Sequence, residues 1–197
     1  MRAHSNIEDT QDMPMALQTR AWTLAEFDRL PDDGNKYELV DGALFVTPAP
    51  SPVHERLAVE LHRLLAPYVH ANGLGDVYTP RAAIRALGSE VEPDLMVRRT
   101  PDVIPETWLE MPVPTLVVEI LSRTTRARDV EQKREWYLRI GVAEYWMVDR
   151  WSRCFHVVRH GHADEVVDQV LDWHPQGATT PLRIDVRAYF VATLGAA

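Results

Sequence analysis

The chain has 197 residues, 46% hydrophobic and 25% charged, enough apolar material to bury a sizeable core. A formal net charge of −8 argues against a protein that coats nucleic acid through a broad basic surface, but allows an enzyme that meets phosphates at a local basic rim. No run approaches the roughly 18 apolar residues of a membrane span, and a single cysteine, Cys154, excludes an internal disulfide framework and agrees with a reducing cytoplasm.

Residues 1–20 are polar and without period, so a disordered tail is expected there. They contain no apolar h-region, which speaks against a secretory signal. The remainder, 21–197, is expected to form a single domain. In "TLAEFDRL", Thr23 followed by Glu26 is a capping box and predicts a helix start. "KYELVDGALFVTP" places two short apolar runs around Asp41-Gly42, a strong hairpin signal.

The clearest helix is "PSPVHERLAVELHRLLAPYVHANG", with Ser51 as its cap, Pro52 at its first position and Gly73 just past its end. Val53, Leu57, Leu61, Leu64, Leu65 and Tyr68 recur on one face, and Pro67 is expected to kink or shorten the last turn. Three strand-like runs follow, "DVYTP", "AAIRAL" and "EPDLMVRR", and then a proline-rich loop. "TLVVEIL" (115–121) is apolar on both alternating faces, as a central strand covered on both sides would be.

A second helix is predicted over "RARDVEQKREWYLRIG", ending at Gly141. "AEYWMVD" and "CFHVVRH" read as strands, "RHGHADE" as a hairpin turn and "PLRIDVRAYFVATL" as a short closing helix. Helices divided around a mixed sheet predict an α/β (α+β mixed) fold.

Glu119 is the anomaly in this pattern, because a lone carboxylate in a core strand costs several kcal/mol unless it is paired. Asp94, after Pro93 at the head of another apolar strand, is a second carboxylate out of place, unless it is solvated at the strand entrance. On a helical wheel Lys133 shares an arc with Val130, Trp136, Tyr137 and Ile140, which turns it toward the sheet. A lysine there either snorkels to water or meets the acids.

Asp94 and Glu119 are hard oxygen ligands suited to Mg²⁺ or Mn²⁺, and such an ion lowers the pKa of bound water and offsets charge on a phosphoryl transition state. Lys133 would then assist the water's attack. Other chemistries fade. Eight histidines lack the close spacing of a zinc motif, Cys154 in "CFH" is expected to be a buried thiol, and Ser122 lacks the glycines of a nucleophile elbow. Arg123, Arg126, Arg128 and Arg134 either rim a phosphate site or form a solvated helix face.

With these residues in hand, the chain resembles the putative restriction endonuclease family of the PD-(D/E)XK nuclease superfamily. The likeness rests on "YELVDG" (37–42), "PAPSPVHERL" (48–57), "EPDLMV" (92–97), "PLRIDVRAYF" (181–190) and, most specifically, residues 117–149. It implies a restriction-endonuclease-like core with a mixed central sheet flanked by helices. It also implies a Mg²⁺-dependent endonuclease acting on DNA, for which double-stranded DNA is the expected substrate and dimerisation or a partner would supply target choice.

Two departures matter. The superfamily lysine belongs two positions after Glu119, where this chain has Leu121, so the role passes to Lys133 on the following helix. Ala43 stands where relatives usually carry Glu. Glu38 and His54 match family positions as accessory residues for metal or phosphate, and Tyr137, one turn on from Lys133, is an accessory expected to help hold the lysine. Equally, Glu38 reads as an exposed strand residue and His54 as part of an apolar stripe. A catalytically inactive binding or assembly protein on the same scaffold, and hydrolysis of RNA or another phosphodiester, are the alternatives.

Overall fold

The computed structural model describes residues 20–47, 49–123 and 125–196. The expected tail, apart from its last residue, lies outside them. The capping box forms as read: Thr23 accepts from the Glu26 amide and Glu26 reaches back to the Thr23 amide, opening α1 (Leu24–Phe27). β1 (Lys36–Val40) and β2 (Ala43–Thr47) make an antiparallel hairpin. Asp41 (φ 49°) and Gly42 (φ 81°) occupy the two left-handed turn positions that the tight hairpin demands.

Ser51 and Pro52 start α2 (Pro52–Ala71) as predicted, but Pro67 does not end it. Leu65 and Val69 on either side of Pro67 are fully buried, so packing holds the last turn helical. β3 (Asp76–Tyr78), β4 (Ile84–Ala86), β5 (Ser89–Val91) and β6 (Leu95–Arg98) follow. The predicted run "AAIRAL" is half of a hairpin that turns at Leu87 and Gly88, both at positive φ, into the unforeseen strand β5.

The central strand is β7 (Leu116–Ile120), buried at every position. Beyond it, β8 (Glu144–Asp149), β9 (Cys154–Arg159) and β10 (Glu165–Val167) run on, with β9 and β10 forming the predicted hairpin. β11 (Val170–Trp173) pairs with β12 (Leu182–Asp185). The expected closing helix is therefore strand first. Asp185 accepts from the Ala188 amide at 2.9 Å and only there opens α5 (Val186–Leu194).

The expected second helix, 126–141, comes in three pieces: α3 (Arg126–Arg128), a π-helical stretch (Asp129–Lys133) and α4 (Arg134–Arg139). Asp129 and Lys133, the two ends of the π-helical stretch, are both buried in the interior.

Six strands form one mixed sheet in the order β10-β9-β8-β7-β6-β3. Among the described residues only β7 and β8 pair in parallel, joined by the helical crossover through α3 and α4. A four-stranded sheet, β2-β1-β5-β4, and the β11–β12 ribbon complete the strands among the described residues. The alternation of β7 divides the core. Leu116, Val118 and Ile120 join Leu57, Leu61, Leu65 and Phe190, from α2 and α5. Val117 and Leu121 join Trp136, Tyr137 and Val40, from α4 and the smaller sheet. Glu119 shares this second face. Among the described residues no helix is long and apolar enough to cross a membrane.

The edge pairing of β3 with β6 depends on close backbone approach at Gly75. A Cβ there (φ +112°) would lie 1.9 Å from the Arg98 carbonyl oxygen, whereas one at Gly73 (φ +61°) meets open space. Gly75→Ala is therefore expected to cost more than about 3 kcal/mol, from clash added to backbone strain. Gly73→Ala should cost about 1–2 kcal/mol, the left-handed penalty alone. Urea unfolding of the two variants measures the contrast, and equal losses would refute the close-approach account.

Candidate metal and phosphate site

β6 and β7 are antiparallel with Leu95 opposite Val118. Continuing that register by one residue sets Asp94, just before β6, across from Glu119. Side chains directly opposite in an antiparallel pair share a face, and both carboxylates line a cavity of about 340 Å³. Asp94 is tied through Oδ2, which accepts from the Ile120 amide at 2.7 Å and lies 3.0 Å from His54 Nε2. Glu119 is tied through Oε1, which accepts from Lys133 Nζ at 2.8 Å and from the Tyr137 hydroxyl at 2.7 Å. In each case the second carboxylate oxygen has no hydrogen-bond partner among the described residues and is left to the cavity. Two hard oxygens free on one cavity wall are a donor set that fits Mg²⁺ or Mn²⁺.

Behind Glu119 sits a buried charge network. Lys133 has no exposed surface and donates to Glu38 at 2.9 Å as well as to Glu119, with Asp129 Oδ1 3.6 Å away. Glu38 is equally buried, so it is not the exposed strand residue the sequence allowed. Its Oε2 meets Arg128 Nη2 at 3.1 Å, an ion pair without hydrogen-bond alignment. Arg128 lies over the Phe45 ring with its centre 5.1 Å from the centroid and donates to Thr47 at 3.2 Å.

The network treats its acids unequally. Burial opposes the charge of Glu38, but Lys133, Lys36 and Arg128 outweigh it and hold Glu38 below the usual carboxylate range. Burial dominates at Glu119, whose carboxyl is pushed up to about 7 because Lys133 is shared and Asp129, Asp94 and Glu38 add repulsion. At Asp94 burial is outweighed by the His54 bond and the carboxyl is held low. His54 is reciprocally raised, burial being overcome by Asp94. Burial and Glu119 keep the Tyr137 hydroxyl protonated, as a donor.

The structure thus gathers all six predicted residues: Asp94, Glu119 and His54 on the cavity wall, Lys133, Tyr137 and Glu38 behind it. Lys133 itself does not line the cavity. The cations that do are Lys36, Arg123, Arg128 and Arg150. Among the arginines named from sequence, Arg126 pairs instead with Asp149 at 2.8 Å and Arg134 with Asp164 at 2.7 Å. Sequence reasoning missed Lys36, Arg150 and Asp129. Lys36 carried a faint signal, since it lies two residues before Glu38 in an alternating strand and so shares its face.

Residues 24–187 match the family Uma2, described as putative restriction endonuclease. No curated protein matches the chain. Among solved structures, the fold is similar to the crystal structure of a putative nuclease belonging to DUF820 from Anabaena variabilis ATCC 29413. The TM-score is 0.76 at 20% identity over 88% of this chain and 99% of that one. The mixed sheet flanked by helices is accordingly a restriction-endonuclease-like α/β fold.

Two outcomes follow from the buried charges. Lys133→Met strands three carboxylates in the interior and is expected to cost roughly 3–5 kcal/mol. Lys36→Met, at the partly exposed cavity edge, should stay within about 1 kcal/mol. Chemical denaturation separates them, and a mild Lys133→Met would contradict the network. Glu119 has a folded value of about 7 against an ordinary 4.5. The stability it supplies is fully present below its unfolded value and is lost as pH rises through about 7. In metal-free buffer, wild type should lose stability relative to Glu119→Gln across that window, and a flat difference would contradict the assignment.

Proposed function

The chain belongs to the Uma2 putative restriction endonuclease family, and from that premise we propose that it is a metal-dependent endonuclease hydrolysing DNA phosphodiester bonds. The observation that carries this reading is the pair Asp94 and Glu119, opposed across β6 and β7 and each presenting a free carboxylate oxygen to one cavity rimmed by cations. A Mg²⁺ or Mn²⁺ ion held by this pair supplies Lewis acidity and a bound water of lowered pKa.

The protein's own groups do the rest. His54 and the Ile120 amide fix Asp94, while Tyr137 and Lys133 fix Glu119, so both ligands are oriented before substrate arrives. Lys133 assists water attack through Glu119, holding that carboxylate and its charge in place. Lys36, Arg128 and Arg150 at the cavity wall are placed to meet phosphate oxygens and offset charge as the bond breaks. Double-stranded DNA is the proposed substrate, with target choice supplied by a second copy or another partner.

A second reading, a catalytically inactive binding or assembly protein on this fold, is favoured by one observation: the Lys133 ammonium is spent on Glu38 and Glu119 and does not reach the cavity. Supercoiled plasmid incubated with Mn²⁺ or Mg²⁺ separates the two. Wild type should nick it, while Asp94→Ala and Glu119→Ala should lose at least about 10³-fold of that rate. Lys36→Ala should weaken it at a stability cost of no more than about 1 kcal/mol. No cleavage by folded wild type would favour the binding protein, and cleavage that survives both acid substitutions would remove the proposed site.

A further inference from the structure

We propose that Asp149, Cys154 and His156 form a second cation site, outside the nuclease cavity, that takes a thiophilic divalent ion of the zinc class. The three come from one hairpin. Asp149 ends β8 and pairs across the strands with Cys154, which opens β9, and His156 lies two residues further along the same face. One ligand atom from each lies within 4.8 Å of the other two. The linear sequence hid this set because its members are a cross-strand pair and a next-but-one neighbour, not a recognised zinc spacing.

The geometry argues for convergence on a shared centre. His156 Nε2 lies 3.8 Å from Cys154 Sγ and 3.7 Å from Asp149 Oδ2. The second distance is too long for a hydrogen bond. Cys, His and Asp around a tetrahedral zinc, with bonds of about 2.0–2.3 Å, sit roughly 3.3–3.7 Å from one another, near the two distances His156 makes, and the Asp149 and Cys154 donors lie within 4.8 Å of each other. A Cys–His–Asp nucleophilic relay is ruled out by the same atoms. It needs sulfur at one imidazole nitrogen and carboxylate at the other, whereas here both face Nε2.

The donors are also held for the task. Cys154 is 3% exposed and its sulfur points at the other two donors, so it is not a surface thiol. Asp149 spends Oδ1 on the amides of Trp151 and Ser152, which leaves Oδ2 turned toward His156. Oδ2 already attracts a cation, the Arg126 guanidinium at 2.8 Å, and Arg126 is exposed enough to swing aside. His156 is partly exposed, so water can fill the fourth position. A thiolate, a carboxylate and a neutral imidazole balance a dication, the thiol proton leaving to solvent as the ion binds. The hairpin turn so pinned, residues 150–153, also carries Arg150 into the nuclease cavity.

Co²⁺ titrated into the full-length, metal-free protein tests this. Wild type should develop thiolate-to-cobalt charge-transfer absorption that saturates at a single equivalent and is abolished by Zn²⁺. Cys154→Ser should lack the band. His156→Ala, a milder change at a partly exposed position, should weaken Zn²⁺ binding by more than the ~10–100-fold typical of outer-shell changes. The band should persist in an Asp94→Ala/Glu119→Ala double variant, which keeps this site apart from the nuclease cavity. Should Cys154→Ser fail to fold, alkylation decides: Zn²⁺ should protect Cys154 in wild type and not in His156→Ala. No band in wild type, or equal zinc affinity in wild type and His156→Ala, would overturn the proposal.

Discussion

The structure turns on one ammonium group. Lys133 lies fully buried between Glu38 and Glu119 with Asp129 close behind, so a single positive charge serves three carboxylates from three elements. Ions taken out of water in this way each cost several kcal/mol, and only excellent pairing offsets that cost. The surrounding chain is arranged to supply the pairing. The π-helical stretch turns Asp129 and Lys133 inward together, the β1–β2 hairpin presents Glu38, and the alternation of β7 puts Glu119 on the face the helix covers. Among the described residues the opposite face of the sheet, packed by α2 and α5, carries no comparable charge network and provides apolar burial that can offset the network's expense.

The inequality within this network separates a structural ion cluster from the proposed cation site. Glu38 is surrounded by Lys133, Lys36 and Arg128 and keeps its charge easily. Glu119 shares its one cation and faces other acids, so burial pushes its carboxyl toward neutrality. A group short of positive charge, with an oxygen open to a cavity, is where a dication has most to gain. Asp94 opposite it keeps its charge through His54. In the proposed nuclease the metal and the lysine are complementary: Lys133 makes burial of Glu119 tolerable, and a cation would complete its neutralisation.

Much of this was legible in the sequence because it broke local patterns. Glu119 interrupts an apolar strand, Lys133 interrupts an apolar helix face, and the capping box and the Asp41-Gly42 hairpin follow from short-range rules. What was not legible depends on tertiary partners. Nothing in "KYELVDG" says that Glu38 is buried, because its partners Lys133 and Arg128 arrive some ninety residues later. The π stretch is invisible to a periodicity argument that assumes a constant turn angle. The "PLRID" segment was misread for a related reason, since strand pairing with β11 overrode the local helix signal.

The exclusion of Lys133 from the cavity sharpens what the absence of a lysine at position 121 means. Leu121 is buried in the apolar cluster with Val117 and Trp136, and a lysine there would add a second ammonium on the same face as Lys133. The helix lysine thus takes over the electrostatic task from below, gripping the carboxylate rather than extending past it. That leaves the open side of the cavity to other cations. Lys36 and Arg128 are the two that also touch Glu38, so two cations of the cavity wall and the group holding Glu119 are joined through one carboxylate. A change at any of these four side chains should be felt by the others, and their contributions cannot be independent of one another.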